Sequence, residues 1–221
     1  MNRRSVGLAL SAAALLAACA NTPPAPDWQL TAKGALERSV QAYLQGNSRV
    51  EAVEFGAARA ALARTGRADL LARAELTRCA ARAASLVFEP CDGYAPLATD
   101  AGEPQRVYND YLRGQLKLPD VALLPEQHRA VASGNAPLAA LKAMSDPLAQ
   151  LVAAAVLLQT GRAEPAVIDI AVDTASAQGW SRPLLAWLNA QLMRAQAAGD
   201  VPRSEQIQRR IATVLAAVPA R

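Results

Sequence analysis

The amino-acid sequence predicts an all-α protein, built either as stacked antiparallel helix pairs in a short solenoid or as an irregular helical bundle. Two observations favour helices. From Trp28 onward the chain is rich in alanine, leucine, arginine, glutamine and glutamate, which are strong helix formers. No stretch shows the alternation of apolar and polar residues that a half-buried strand requires, and apolar residues instead recur at helical spacing.

Apolar residues three or four positions apart mark the successive helices, because that spacing places side chains on one helix face. The faces are, in chain order, Leu36, Val40, Tyr43 and Leu44; Leu148, Leu151, Val152, Ala155 and Leu158; Leu185, Leu188 and Leu192; and Ile207, Ile211 and Leu215.

Glycines predict where these helices end, since glycine readily adopts the left-handed conformation that follows a helix. Gly46 and Gly66 lie 20 residues apart in the first half, and three more follow in the second half, at 161, 179 and 199. The sequence at 65–69, Thr-Gly-Arg-Ala-Asp, is echoed at 160–164 as Thr-Gly-Arg-Ala-Glu. A junction between helices is therefore used twice, and helix pairs recur at about 40 residues, near the period of helical-hairpin repeats.

One unit of helix, glycine turn and helix runs from Trp187 through Gly199-Asp200 to Ile211. It loosely resembles a tetratricopeptide repeat, although the period here is longer than the ~34 residues of that family. The resemblance implies stacked antiparallel helix pairs. An irregular bundle fits the same pattern.

The middle of the chain, residues 87–136, is an irregular insertion between two helical halves, 28–86 and 137–221, within one predicted domain over 28–221. Prolines at 90, 96, 104, 119 and 125 leave room only for short helices, around 104–113 and 125–132. This segment holds a large share of the few aromatic residues, and loops that carry such side chains are frequent binding sites. The possible binding surface comprises Phe88, Tyr94, Tyr108 and Tyr111.

The N-terminus has the order of elements found in a secretory signal. Two arginines at positions 3 and 4 precede an apolar run from Val6 to Ala18. The run is too short to cross a bilayer as a helix, which takes about 20 residues. The end of the run, Leu16-Ala17-Ala18-Cys19, resembles the lipobox of bacterial lipoproteins. A plain secretory signal with a chance cysteine, or an N-terminal helix packed in a core, are the alternatives.

The lipoprotein resemblance implies a signal peptide over 1–18 and an acylated Cys19 that attaches the chain to a lipid bilayer. Residues 19–27, rich in proline, then form a tether. Ala20 stands where an aspartate would signal inner-membrane retention, so the resemblance implies an outer-membrane anchor facing the periplasm. Loss of Arg3 and Arg4 with the signal lowers the net charge from +4 to about +2. The remaining arginines are interspersed with acids, and we expect no nucleic-acid partner.

Two cysteines remain once Cys19 is assigned to lipid, namely Cys79 and Cys91. An even number in an exported protein favours a disulfide, because that compartment is oxidising. Two free buried thiols are the alternative.

The sequence contains no recognisable catalytic or cofactor motif. His128 is the only histidine, so a site with several histidine ligands for a metal is excluded, and no nucleophile elbow accompanies it. We expect it in the first turn of a short helix in a structural role. Glu51 and Glu54 lie three apart on a predicted helix with arginines nearby, which favours solvated helix charges over a catalytic pair.

These features together predict a non-enzymatic protein without a cofactor. The leading hypothesis is a lipid-anchored helical scaffold or assembly factor that binds another envelope protein, since stacked helices form grooves for helices or peptides. The alternative is a lipoprotein that binds a small ligand or lipid in a pocket lined by the central aromatic residues. A cell-wall enzyme is a third hypothesis.

Overall fold

A computed structural model of the chain describes residues 25–217, and within them it contains helices and no strand. The all-α prediction is confirmed. The predicted signal peptide, Cys19 and the tether up to residue 24 lie outside the described residues. The α-helices are α1 Asp27–Leu44, α2 Ser48–Ala63, α3 Ala68–Ala84, α4 Glu103–Leu112, α5 Glu126–Ala132, α6 Pro137–Lys142, α7 Pro147–Gln159, α8 Pro165–Ala177, α9 Ser181–Ala197 and α10 Val201–Ala217, with 3-10 helices at Ala95–Leu97 and Leu118–Leu123.

The repeated Thr-Gly-Arg sequence forms the same turn in both places, between α2 and α3 and between α7 and α8. Gly66 and Gly161 have φ angles of 66° and 69°, a conformation that is costly for residues with a Cβ. The preceding threonine hydroxyls donate to carbonyl oxygens of the helix that ends there, Thr65 to Leu62 at 2.6 Å and Thr160 to Val156 at 2.7 Å. The Leu62 and Val156 carbonyls also accept the backbone amides of Thr65 and Thr160, each at 3.0 Å, so each hydroxyl adds a second hydrogen bond at its helix end.

Helix α7 lies at the centre of the molecule. Its residues from Leu151 to Leu157 are all buried, and a helix that is apolar on every side must be enclosed by other elements. It contacts α3, α4, α5, α6 and α8. The described helices therefore pack around α7, in an all-α arrangement consistent with both architectures that the sequence leaves open.

Consecutive helices also pack as antiparallel neighbours at both ends of the chain. Helices α1 and α2 form one pair, and α8, α9 and α10 each contact the next. Helix α9 then returns to α1, where Trp180 Nε1 donates to Gln41 Oε1 at 3.0 Å. The guanidinium of Arg182 donates to the Tyr43 carbonyl at 2.7 Å and covers the Tyr43 ring at 4.2 Å. The C-terminal helices are thus tied to the first helix pair.

Between residues 25 and 217, no helix combines the length and the hydrophobicity needed to cross a membrane.

Candidate functional site

A cleft of about 600 Å³ opens between α3, α4, α5 and the start of α7. Most of its walls are apolar, and a few polar side chains interrupt them. Its lining residues are Arg73, Leu76, Thr77, Ala80, Pro104, Gln105, Tyr108, Leu123, Leu124, Pro125, Gln127, His128, Arg129, Asp146, Leu148, Ala149 and Val152.

The helices place these side chains through ordinary helical spacing. On α3 the lining residues 73, 76, 77 and 80 recur every three or four positions and so share one face. On α7 the same holds for Leu148, Ala149 and Val152. Pro104 lies in the first turn of α4, and Pro125 immediately precedes α5. Because proline favours helix starts, these two residues fix where α4 and α5 begin and thereby position Tyr108 and His128.

Three aromatic side chains form a cluster at the inner side of the cleft. The ring centroids of Tyr108 and His128 are 5.6 Å apart, those of Tyr111 and His128 are 5.0 Å apart, and the two tyrosines stack at 6.1 Å. Tyr111 and His128 are each only 1% exposed. The Tyr111 hydroxyl lies 3.5 Å from His128 Nδ1, at the long limit of a hydrogen bond.

Burial keeps this cluster uncharged near neutral pH. It lowers the pKa of His128 to about 4, against a smaller opposing effect of the Asp146 carboxylate. It also raises the pKa of Tyr108 and of Tyr111 far above the ordinary phenol value. Low dielectric disfavours the charged form of each group. A neutral imidazole with so low a pKa is a weak base, which suits packing and hydrogen bonding better than proton abstraction.

Charged side chains stand at the outer edge of the cleft. Arg73 and Arg129 are exposed, and Arg129 Nε donates to the Leu124 carbonyl at 2.8 Å. The single lining carboxylate, Asp146, accepts from the Ala149 amide at 2.9 Å and so caps α7. Within the described part of the chain, neither arginine forms an ion pair with a carboxylate.

A smaller cavity of about 400 Å³ lies on the other side of Asp146 and Leu148, bounded by α1 and Trp180. Its lining includes Gln41, Ser145 and Gln178 and offers less apolar surface. The larger cleft is therefore the better candidate for binding.

The aromatic surface expected from the sequence is divided by the fold. Tyr108 is half-buried and lines the cleft, whereas Tyr111 is a core residue behind it. Tyr94 is also buried, at 4% exposure, and its hydroxyl has no hydrogen-bond partner among residues 25–217. Phe88 is exposed at 40% and does not line the cleft. The four residues thus do not form one surface, and of the four only Tyr108 lines the cleft.

Residues of α3 and α7 that the sequence did not mark as a binding site form two walls of the cleft. The sequence gives Arg73 as one of a row of arginines on a helix, expected on a solvated face, and Val152 as part of an apolar helix face, while Leu76 has no motif that marks it. His128 was expected in the first turn of a short helix, which α5 confirms, but its position gave no sign of burial beside two tyrosines.

Cys79 and Cys91 are brought together, with their sulfur atoms at bonding distance and their Cα atoms 5.9 Å apart. That separation lies within the range of disulfides. The pair ties the second half of α3 to the loop that follows it, as the cysteine count leads us to expect. Cys91 Sγ also lies 3.6 Å from the Glu75 carbonyl oxygen.

The expectation that Glu51 and Glu54 are solvated is wrong for Glu51, which is 5% exposed. Its carboxylate accepts two hydrogen bonds from Arg78 of α3, at 2.5 and 3.1 Å. Glu54 instead pairs with Arg38 of α1 at 2.9 Å. The sequence suggested pairing with arginines nearby in the chain, but the helix packing brings arginines from other helices.

A third carboxylate, Glu75, is 3% exposed and pairs with Arg59 of α2. These ion pairs join α1, α2 and α3, and none of the three carboxylates lines the cleft. Over residues 25–217, no group of three or more His, Cys, Asp and Glu side chains is arranged to hold a metal ion.

Comparison of the chain with protein-family models, with curated proteins and with solved structures finds no match. The cleft and the N-terminal sequence are the two features of the chain that bear on its function.

Proposed function

We propose that this chain is a lipid-anchored protein of the bacterial cell envelope whose helical body binds a small apolar or amphiphilic ligand in the cleft between α3, α4, α5 and α7. The observation that carries the proposal is the cleft beside Tyr108, with a volume of about 600 Å³. Small-molecule sites commonly occupy roughly 300–1,000 Å³ and combine apolar walls with a few polar groups. Both descriptions apply to this cleft.

The anchor in this proposal is Cys19, which is acylated after export. Cleavage of the signal peptide before Cys19 then makes it the first residue of the mature chain. The lipobox-like sequence Leu16-Ala17-Ala18-Cys19 supports it. Several acyl chains at one residue hold a protein firmly, whereas one chain binds only marginally. The expected location is the outer membrane, with the body facing the periplasm.

The anchor is tested by metabolic labelling with an alkyne-bearing palmitate. We expect Cys19→Ser to lose the label and to remain unprocessed at residue 19. The double variant Cys79→Ser/Cys91→Ser removes the other two cysteines and should keep the label. Label retained by Cys19→Ser would contradict the anchor.

A binding role fits the chemistry of the site better than catalysis does. His128, the only histidine, is a weak base because burial lowers its pKa to about 4. A catalytic carboxylate would be expected in the cleft with a raised pKa. The three interhelical carboxylates instead pair with arginines elsewhere, and the cleft carboxylate Asp146 caps a helix. Binding requires none of these groups to transfer a proton.

Ligand binding is tested on the full processed chain in phosphatidylcholine nanodiscs with a neutral probe, a long-chain alcohol carrying a diazirine and an alkyne. After irradiation, mass spectrometry locates the labelled peptides. We expect label on α3, α4 and α7 next to the cleft. Label confined to the N-terminal peptide or spread evenly over the surface would contradict binding there.

A matched pair of substitutions sharpens this experiment. Thr77 of α3 lines the cleft, and Thr213 of α10 is exposed elsewhere. Each hydroxyl donates to the carbonyl four residues earlier, at 2.9 and 3.0 Å. Thr77→Trp should fill the cleft and abolish its labelling, whereas Thr213→Trp makes the same change outside it and should leave labelling intact.

The second candidate function is the scaffold for another envelope protein. Helix α10 favours it, because only Ser204 and Ile207 of this helix are buried. Val201 and Leu215 are 62% and 56% exposed and lie at the edge of its apolar face. Crosslinking in cells followed by affinity purification tests this function. Recovery of one envelope protein that is lost with Val201→Glu/Leu215→Glu would support it, and the absence of any reproducible partner would count against it.

A further inference from the structure

Two arginines at the edge of the cleft give it a positive rim. Arg73 comes from α3 and Arg129 from α5, so the charges stand on different helices. The bond from Arg129 Nε to the Leu124 carbonyl holds its guanidinium near the cleft. As far as residues 25–217 extend, no carboxylate neutralises either group by an ion pair.

The other titratable groups of the lining do not cancel this charge. Asp146 contributes one negative charge, and one of its oxygens is already used to cap α7. His128 and Tyr108 are uncharged at neutral pH. The lining therefore carries two positive charges against one negative charge.

The interior of the cleft is lined mainly by apolar side chains. Leu76 and Ala80 of α3 face it from one wall, and Leu148, Ala149 and Val152 of α7 face it from another. Ala80 and Ala149 are small, so the two helices leave space between them that longer side chains would fill. A hydrocarbon chain placed there removes apolar surface from water along its length.

We infer that the ligand of the cleft is a single-chain anionic amphiphile, such as a long-chain carboxylate. Its acid group lies between Arg73 and Arg129, and its hydrocarbon chain lies against α3 and α7. This inference rests on the proposed function of the cleft and adds the charge of the ligand to it. Guanidinium groups form strong charge-assisted hydrogen bonds with carboxylates and phosphates.

The inference is tested with two further diazirine probes of the same chain length, one ending in a carboxylate and one in a primary amine. Both are added to the full processed chain in phosphatidylcholine nanodiscs at pH 7. We expect the carboxylate probe to label the cleft peptides about tenfold more than the amine probe, since each charge-assisted bond contributes strongly to affinity. Competition by unlabelled palmitate or by hexadecyl phosphate identifies which acid group is preferred.

Paired substitutions distinguish the rim from general surface charge. Arg73→Gln/Arg129→Gln should lower the ratio of labelling by the carboxylate probe to labelling by the neutral alcohol about tenfold. Arg49→Gln/Arg194→Gln removes the same charge from two exposed arginines of α2 and α9 and should leave that ratio unchanged.

Two other outcomes have separate meanings. Equal labelling of the cleft by the carboxylate and amine probes would overturn the inferred charge and leave ligand binding in place. Failure of all three probes to label the cleft would overturn both the inference and the proposed function.

Discussion

The indole nitrogen of Trp187 donates a hydrogen bond at 3.0 Å to the carbonyl oxygen of Ala84, the last residue of α3. Trp187 is fully buried, and the two residues lie 103 positions apart. The bond satisfies a carbonyl at the end of α3 and fastens α9 to it. It thus joins the C-terminal helices to the helix that forms one wall of the cleft.

Substitution of Trp187 should therefore destabilise the whole body. Trp187→Phe leaves the Ala84 carbonyl unpaired and removes part of the ring, and we expect a loss of about 1–3 kcal/mol in the free energy of unfolding. Trp187→Ala should cost about 3–5 kcal/mol. Urea denaturation measures both, with the half-buried Trp28 as control. Equal losses for Trp28→Phe and Trp187→Phe would contradict this role.

The positions of the helices can be predicted closely from the sequence, because where a helix begins and ends depends on residues that are adjacent in the chain. The turns at Gly66 and Gly161 and the short helices of the middle segment lie close to where the sequence predicts them. The cleft could not be predicted in this way. It requires α3 to contact α7, about 70 positions later, and no local pattern encodes that pairing.

The same limit explains the divided aromatic surface. Tyr108 and Tyr111 are three positions apart on α4, yet one lines the cleft and the other is buried behind it. Which tyrosine faces inward depends on how α4 rests against α7, and the sequence of α4 alone does not settle it. Burial of His128 has the same origin, since α5 contacts α7 as well.

Stability should fall on acidification because of His128. Its pKa is about 4 in the folded protein, below the unperturbed value of 6.5. The unfolded chain therefore binds more protons between these two values, and the free energy of unfolding decreases as pH drops from about 6.5 to 4. The shift corresponds to a loss of about 3 kcal/mol. Urea denaturation at a series of pH values measures it.

The variant His128→Phe isolates this effect, because the chain has no other histidine. Carboxylates also titrate in this range, but they do so in both proteins and largely cancel in the difference. We expect the stability of wild type minus that of the variant to decrease by about 3 kcal/mol from pH 7 to pH 4. A difference that stays constant with pH would mean that His128 is not buried in its neutral form.

The pairing of Cys79 with Cys91 predicts a redox-dependent stability. A disulfide that closes a loop of about 13 residues is worth roughly 3 kcal/mol through the entropy of the unfolded chain. We expect Cys79→Ser/Cys91→Ser to lower the free energy of unfolding by about that amount. A reductant should destabilise the wild type by the same amount and leave the variant unchanged. Mass spectrometry of protein alkylated under native, non-reducing conditions provides the check. Alkylation of both thiols in periplasmic protein would refute the pairing.

Substitution by alanine should change the free energy of unfolding in opposite directions at Gly93 and at Gly56. A Cβ on Gly93 would overlap the carboxylate of Glu75, which is buried and held by Arg59. Because that carboxylate cannot easily move away, we expect Gly93→Ala to cost about 1–3 kcal/mol. A Cβ on Gly56, in the interior of α2, meets nothing within 4 Å, so Gly56→Ala should stabilise by about 1 kcal/mol through helix propensity.

A double-mutant cycle attributes the Gly93 effect to this one contact. Glu75→Ala removes the obstructing carboxylate, and Arg59 can turn to solvent because its side chain is 45% exposed. In that background Gly93→Ala should cost far less than in the wild type, and thermal or urea unfolding of the four proteins gives the coupling energy. Identical costs in both backgrounds would mean that the backbone at Gly93, rather than Glu75, requires glycine.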